Sequence, residues 1–160
     1  MTRDLPENLC TSCGLCCNGS LFADIELKSR RESLAMESFG LVVEDGDDGE
    51  LLIQPCGALK GTRCSIYQYR PTCCRTFECR LLRDVEEGKR TIADAREIVR
   101  TTRELIARIE RGIGWKAGPK HLPLKERYWE VSERFNAKTR AELEEAMRQL
   151  ENRIEINFIT

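Results

Sequence analysis

Nine cysteines lie within the first 79 residues of this 160-residue chain, and they constrain its fold more than any other feature. The densest run occupies positions 10, 13, 16 and 17, and five more cysteines follow at positions 56, 64, 73, 74 and 79. Packing does not explain this spacing, because a buried cysteine behaves as a small hydrophobe with no reason to recur every third residue. Recurrence after two intervening residues is typical of a chain that folds its thiolates around a metal ion or cluster.

Two kinds of metal fit an all-sulfur site. Zinc takes four thiolates tetrahedrally, and bacterial ferredoxins hold an iron–sulfur cluster through a Cys-x-x-Cys-x-x-Cys run with a further cysteine elsewhere. Cys10, Cys13 and Cys16 reproduce the three-cysteine part of that run, but the fourth cysteine with its following proline is missing. Three arrangements therefore stay open: one [4Fe–4S] cluster with one remote thiolate, two Cys₄ zinc sites, or a polynuclear cluster that shares all nine thiolates.

Two arginines accompany the second cysteine group. Arg70 and Arg75 flank Cys73 and Cys74. Four thiolates on a divalent metal leave a net charge of about −2, which is costly to bury without compensation. The fixed charge and multiple donors of arginine suit that compensation. We therefore predict that Arg70 and Arg75 contribute to cofactor binding, and the alternative is that both are ordinary surface residues.

The joint pattern resembles a known family. Cys-x-x-Cys-Gly-x-Cys-Cys, a separated cysteine, and then Cys-x-Ile-Tyr-x-x-Arg-Pro-x-x-Cys-Arg-x-Phe-x-Cys are similar to the YkgJ-type (CxxCxxCC) cysteine-cluster family of zinc- or iron-chelating domains. Cys73 is extra to the pattern, so we expect it to be a thiol outside the ligand set. A related cluster occurs in flagellin lysine methylases. The resemblance implies eight metal ligands: Cys10, Cys13, Cys16, Cys17, Cys56, Cys64, Cys74 and Cys79.

The expected fold is α+β in a single domain, 1–160. Residues 1–84 would form a small irregular cysteine-rich lobe with a short β-hairpin, packed on a helical scaffold over 85–160. The hairpin would join the apolar runs 41–43 and 51–53, and a helix is expected over Glu26–Ser38. In the second half, capping boxes at Thr91 and Thr139 predict two amphipathic helices, the first ending at Gly112 and Gly114, with a connector between them. The tail from 154 to 158 fits a strand or a helix.

Charge and hydropathy restrict the partners. The formal net charge is −1, so the chain lacks the basic excess that a phosphate backbone selects. No stretch approaches the roughly 20 apolar residues needed to span a bilayer. The first residues lack the apolar core of a signal peptide, and an odd cysteine count disfavours a disulfide framework, so we expect a cytoplasmic protein. The expected partners are metal ions, with a protein partner left open, and neither nucleic acid nor a membrane.

The function expected from these features is metal binding. We expect an iron–sulfur cluster, of the [4Fe–4S] type, or Zn²⁺, with iron–sulfur favoured by the ferredoxin-like run and a role in electron transfer or redox sensing. The alternatives are a structural zinc module and an accessory component of a protein-modification enzyme such as a methylase. No catalytic residue is predicted, since the single histidine, His121, has no sequence relationship to any one cysteine. Whether the chain is an enzyme stays open.

Overall fold

The computed structural model describes residues 4–114 and 122–159. Seven helices and two small antiparallel sheets occur in these residues, which confirms the α+β class. By its internal contacts the chain divides into two units. We call them the helical unit (Met1–Cys13 with Glu78–Thr160) and the sheet unit (Gly14–Phe77).

The sheet unit is built on a three-stranded antiparallel sheet. The strands are β1 (Asp24–Glu26), β2 (Val43–Asp45) and β3 (Glu50–Ile53), in the order β1-β3-β2, and helix α2 (Arg30–Ser38) contacts β3. Leu52 is the register partner of Ile25 on one side and of Val43 on the other. The predicted hairpin is therefore confirmed, with its turn at residues 46–49.

Three shorter elements complete the sheet unit. Strands β4 (Leu59–Lys60) and β5 (Arg63–Cys64) form a tight hairpin, a single 3₁₀ turn follows at Tyr67–Tyr69, and helix α3 spans Thr72–Thr76. The core of the unit is apolar and lies between α2 and the sheet. Its buried members are Leu27, Met36, Leu41, Leu52 and Ala58.

The helical unit contains five α-helices. They are α1 (Asp4–Cys13), α4 (Arg80–Glu86), α5 (Ile92–Ile113), α6 (Leu124–Val131) and α7 (Ala137–Asn157). Helix α5 contacts each of the other four. The apolar stripe predicted for it faces inward, and its buried residues are Ala95, Val99, Thr102, Ile106, Ile109 and Ile113.

The start and end of α5 follow the sequence closely. Thr91 and Asp94 form the predicted capping box, with each side chain bonded to the backbone amide of the other residue. Gly114 caps the C-terminus with a φ of 76°, a conformation that costs glycine little. Gly112 was also expected to end the helix and instead lies inside it. Glycine at this position leaves room for Leu143 of α7, since a Cβ there would lie 2.6 Å from Leu143 Cδ2.

Several expected boundaries were wrong. The helix expected from Glu26 begins at Arg30, because Asp24–Glu26 pairs with β3 as a strand and Ser29 caps the helix. Helix α7 begins at Ala137, two residues before Thr139, because Asn136 is its N-cap and the Asn136 side chain accepts the amide hydrogen of Thr139. The connector contains α6, whose residues were not expected to be helical. The tail is helical through Asn157, and His121 lies outside the described residues.

Residues 10–13 were expected to belong to an irregular cysteine wrap and are instead helical. Cys10 and Cys13 lie on α1, and the irregular backbone begins only at Gly14. Neither unit contains a helix, within residues 4–114 and 122–159, whose length and apolar character would let it cross a bilayer.

Candidate metal centre

The cysteines are divided between the two units. Three belong to the helical unit, namely Cys10, Cys13 and Cys79. Six belong to the sheet unit: Cys16, Cys17, Cys56, Cys64, Cys73 and Cys74. The sheet unit therefore holds enough thiols to form a four-sulfur site from its own residues.

A tight turn positions Cys16 and Cys17. The backbone turns at Gly14, where φ is 70° and the Gly14 carbonyl accepts the amide hydrogen of Cys17 at 3.2 Å. A Cβ on Gly14 would lie only 3.2 Å from Thr62 Cα, so this turn is pressed against the connection between β4 and β5. Glycine supplies both the positive φ and the close approach, and it places the paired cysteines beside the short hairpin.

Cys56 joins that turn to the hairpin. Its amide donates to the Cys17 carbonyl at 2.8 Å, and its own carbonyl accepts from the Leu59 amide at 3.0 Å. Leu59 opens β4 and is the register partner of Cys64 on β5. Cys17, Cys56 and Cys64, which are 39 and 8 positions apart in sequence, are thus linked by backbone hydrogen bonds.

The Cys56 thiol is half-buried and lies among hydrogen-bond donors. Burial raises its pKa most, and the charge of the Cys64 thiolate raises it further. The amides of Ala58 and Leu59 act in the opposite direction, because they donate to the sulfur. A sulfur that receives amide hydrogens while buried is suited to thiolate character, provided that a cation supplies the missing positive charge.

Helix α3 brings the third cysteine segment. Pro71 precedes it in an extended conformation, and the helix then carries Cys73 and Cys74. The two thiols share a hydrogen bond that, above all other causes, lowers the pKa of Cys73 to about 7 and raises that of Cys74. Burial and the charges of Cys73, Cys17 and Cys56 raise the Cys74 pKa further. Cys74 therefore lies within electrostatic range of the cysteines on two other segments.

The sheet-unit thiols also contribute to the core. Cys56, Cys64 and Cys73 pack, partly buried, against the apolar cluster of Leu27, Met36, Leu41, Leu52 and Ala58. All three carry thiols without a disulfide bond. Anything that bound these sulfurs would therefore be anchored to the centre of the sheet unit.

The helical-unit cysteines have different surroundings. Cys10 is exposed and Cys13 half-buried, one helical turn apart on α1, and Arg103 donates to the Cys13 carbonyl at 2.8 Å. Cys79 is the N-cap of α4, and its sulfur accepts the Leu82 amide hydrogen at 3.4 Å. Burial is the largest influence on the Cys79 pKa and raises it, against the lowering effect of the α4 amides.

The two predicted arginines form hydrogen bonds in and next to α3. Arg70 donates through Nε to the Tyr67 carbonyl at 2.9 Å and through Nη1 to the Cys74 carbonyl at 3.3 Å. Its guanidinium carbon lies 3.6 Å from the centre of the Tyr67 ring. Arg75 donates to the Thr72 hydroxyl at 3.4 Å. Both side chains therefore contact the helix that carries the paired cysteines.

The contact that Glu32 makes with α3 was not predicted from the sequence. Its Oε1 accepts from both the amide and the hydroxyl of Thr72, at 2.8 and 2.5 Å. The pattern Ser29-x-x-Glu32 does indicate a helix start, and Ser29 does cap α2. It gives no sign of a contact 40 residues away.

The donor set fits a thiophilic metal. In residues 4–114 and 122–159, no three Cys, His, Asp or Glu side chains are arranged as a set ready to hold a metal ion. A side chain held about 30° off its preferred rotamer costs about 0.5–1.5 kcal/mol, whereas binding of structural zinc to a zinc-finger peptide releases about 10–16 kcal/mol. Side-chain rotation in a region already rich in thiols is therefore a minor barrier to coordination.

Comparison with known proteins identifies the family. Residues 9–102, more than half of the chain and all nine cysteines, match the CxxCxxCC family model, described as "Putative zinc- or iron-chelating domain". Comparisons with curated proteins and with solved structures give no match. The cysteine spacing, the amide-bonded thiols and the family match agree on a metal-binding role. The chain therefore belongs to the CxxCxxCC family of zinc- or iron-chelating domains.

Proposed function

We propose that this protein holds a metal centre through cysteine thiolates and uses it for electron transfer or redox sensing. The ligands come from the eight cysteines of the family pattern: Cys10, Cys13, Cys16, Cys17, Cys56, Cys64, Cys74 and Cys79. The observation that carries the proposal is the meeting of three separate cysteine segments in the sheet unit. The Cys17–Cys56 backbone bond, the pairing of Leu59 with Cys64 and the electrostatic effect of Cys17 and Cys56 on Cys74 support it.

Within the sheet unit, the proposed set is Cys17, Cys56, Cys64 and Cys74. In the metal-free protein the hydrogen bond with Cys73 raises the pKa of Cys74 most, burial raises it further, and repulsion by the charges of Cys73, Cys17 and Cys56 adds to both. A cation relieves that repulsion, and each ligand releases its proton when it binds. The four side chains thus supply negative charge and soft donors that suit iron or zinc.

An iron–sulfur cluster is the first candidate for the occupant. The support is the Cys10-x-x-Cys13-x-x-Cys16 spacing, which matches the ferredoxin run. Such a cluster, when bound, supplies a one-electron redox couple. The protein's contribution would be amide hydrogens directed at sulfur, as at Cys56, since such bonds tune the potential of a cluster. We place the protein in the cytoplasm, where thiolates are kept reduced.

Structural zinc is the second candidate, and a specific observation favours it. Cys56 precedes a tight two-stranded hairpin, Cys64 is the last residue of its second strand, and both pack against the core of the sheet unit. A four-coordinate zinc at that position would stabilise a small unit, whose apolar cluster beside these cysteines has five buried members. Function would then lie elsewhere on the protein surface.

Serine substitutions test the ligand assignment. We expect Cys74→Ser and Cys13→Ser each to lose bound metal, because a hydroxyl is a far weaker ligand for a thiophilic ion than a thiolate. Cys73→Ser is the matched control, since it changes the neighbouring residue of α3 and lies outside the family pattern. The measurement is metal per chain by elemental analysis of protein purified without oxygen. Full metal content in Cys74→Ser, or loss in Cys73→Ser alone, would overturn the assignment.

A further inference from the structure

Helix α3 is too short to be stable by itself, yet it carries two of the cysteines. It has five residues, and isolated helices of fewer than about 12 residues are marginal in water. Its N-cap residue is Pro71, whose side chain makes no capping hydrogen bond. The conformation of Cys73 and Cys74 therefore depends on contacts that other segments make with the helix ends.

Glu32 supplies the missing cap from α2. Its Oε1 accepts the Thr72 amide hydrogen at 2.8 Å and the Thr72 hydroxyl hydrogen at 2.5 Å. Its Oε2 accepts the Lys28 amide hydrogen at 3.0 Å, which fixes the carboxylate to the start of its own helix. A carboxylate at a helix N-terminus is favoured by the unpaired amides and by the helix dipole. One side chain thus ties the first turn of α2 to the first residue of α3.

The opposite end of α3 is held by Arg70. Its guanidinium is fixed by the Tyr67 ring and carbonyl, and it donates to the Cys74 carbonyl at 3.3 Å. Arg75 adds a bond to the Thr72 hydroxyl at 3.4 Å and lies close enough to Glu32 to lower the pKa of that carboxyl, after the larger effect of the Thr72 hydrogen bonds. Both ends of the short helix are therefore fixed by charged side chains.

We propose that Glu32 is a positioning residue for the metal centre, which acts through Thr72 to hold the Cys73–Cys74 helix in a binding-competent conformation. This inference rests on the proposed function, since it assigns a role at the same centre. Glu32 is not a ligand: both of its oxygens are occupied by donors from Thr72 and Lys28. Its loss would leave α3 to be ordered at the moment of metal binding, and the cost of that ordering would lower the affinity.

The test is the affinity of the reduced, metal-free full chain for Zn²⁺, measured by competition with a chelator. We expect Glu32→Ala to weaken binding by about 10- to 100-fold, the range typical of residues that orient metal ligands. Glu37→Ala is the matched control, because Glu37 is exposed on the same helix and its side chain makes no hydrogen bond or ion pair in the described residues. It should bind as the wild type does.

Two further readouts separate positioning from general stability. Glu32→Gln keeps an amide oxygen that can accept from Thr72, so it should recover most of the affinity that Glu32→Ala loses. Co²⁺ bound to Glu32→Ala should show weaker thiolate-to-metal absorption than Co²⁺ bound to the wild type. Glu32→Ala with wild-type affinity and an unchanged Co²⁺ spectrum would overturn the inference, even if its melting temperature falls.

The milder variant Thr72→Val covers the case in which Glu32→Ala does not fold. It removes only the hydroxyl, so a loss of about 2- to 10-fold is expected from one hydrogen bond, and unchanged affinity would contradict the inference. A different result would contradict the proposed function itself. In that case the wild-type chain itself would bind neither Zn²⁺ nor Co²⁺ through its thiolates.

Discussion

At the scale of single residues, the Cys73–Cys74 pair carries the most distinctive chemistry. The two thiols are adjacent on one short helix and share a hydrogen bond. That bond favours a thiolate on Cys73, whose pKa is lowered to about 7, and keeps the proton on Cys74. The residue outside the family pattern is therefore the thiol of this pair that ionises first in the metal-free protein.

Alkylation kinetics test this ordering. In reduced, metal-free protein the iodoacetamide reaction of Cys73 should rise through pH 7 and level off by about pH 8, because only the thiolate reacts. The Cys56 reaction should still be rising at pH 9, since burial raises its pKa. Residue-resolved mass spectrometry at a series of pH values gives both curves from one sample. Coincident curves for Cys73 and Cys56 would contradict the account.

The hydrogen bond itself can be removed by mutation. Cys74→Ala removes the thiol donor beside Cys73, so the Cys73 alkylation curve should move to higher pH. A curve that stays in place would show that the low Cys73 pKa has another cause.

At the scale of elements, the turn at Gly14 determines where Cys16 and Cys17 lie. Gly14 has a φ of 70° and approaches the backbone of Thr62. Gly40, which follows α2, has a similar φ of 76° with nothing within 4 Å of a built Cβ. Gly14 and Gly40 therefore share a backbone conformation and differ in how closely other atoms approach them.

Alanine substitution at Gly14 and Gly40 separates the cost of the backbone conformation from the cost of crowding. Gly40→Ala should cost about 1–2 kcal/mol in the free energy of unfolding, the price of a left-handed conformation for an L-residue. Gly14→Ala should cost more and should also weaken metal binding, because the added Cβ pushes the Cys16–Cys17 turn away from the β4–β5 connection. Chemical denaturation and chelator competition measure the two quantities. Equal costs, with metal affinity unchanged in both variants, would refute this role for the turn.

Elements with strong local signals were predictable from the sequence. The α5 stripe and its Thr91–Asp94 capping box are confirmed, as is the hairpin of β2 and β3. Strand β1 was missed because three residues with charged neighbours carry almost no periodicity, and its strand character comes from pairing with β3. The start of α7 was misplaced because Asn136 and Thr139 are both good caps, and only the folded geometry chooses between them.

The candidate site likewise has some features that local sequence predicts and others that depend on distant contacts. Cysteine spacing alone was enough to predict thiolate ligation, since cysteines separated by two residues are typical of zinc and iron–sulfur sites. Spacing gave no indication that Cys10 and Cys13 are helical or that Glu32 caps α3. Both facts depend on how distant segments pack, which the local sequence does not encode.

At the scale of the whole molecule, the family match and the units divide the chain differently. The match over residues 9–102 contains the entire sheet unit and every cysteine, and it ends inside α5. Beyond it lie the rest of α5, α6 and α7, whose buried residues complete the core of the helical unit. The metal chemistry therefore belongs to the matched part, and the later helices contribute apolar packing.

The proposed function requires that the thiolates of this chain hold a metal. The most direct test is to purify the full chain without oxygen and to quantify iron, acid-labile sulfide and zinc per chain, together with the visible absorption spectrum. The account predicts iron and sulfide in equal amounts with broad visible absorption, and colourless protein with bound zinc would select the structural candidate. Protein that contains neither metal, and that takes up neither after reduction and reconstitution, would contradict it.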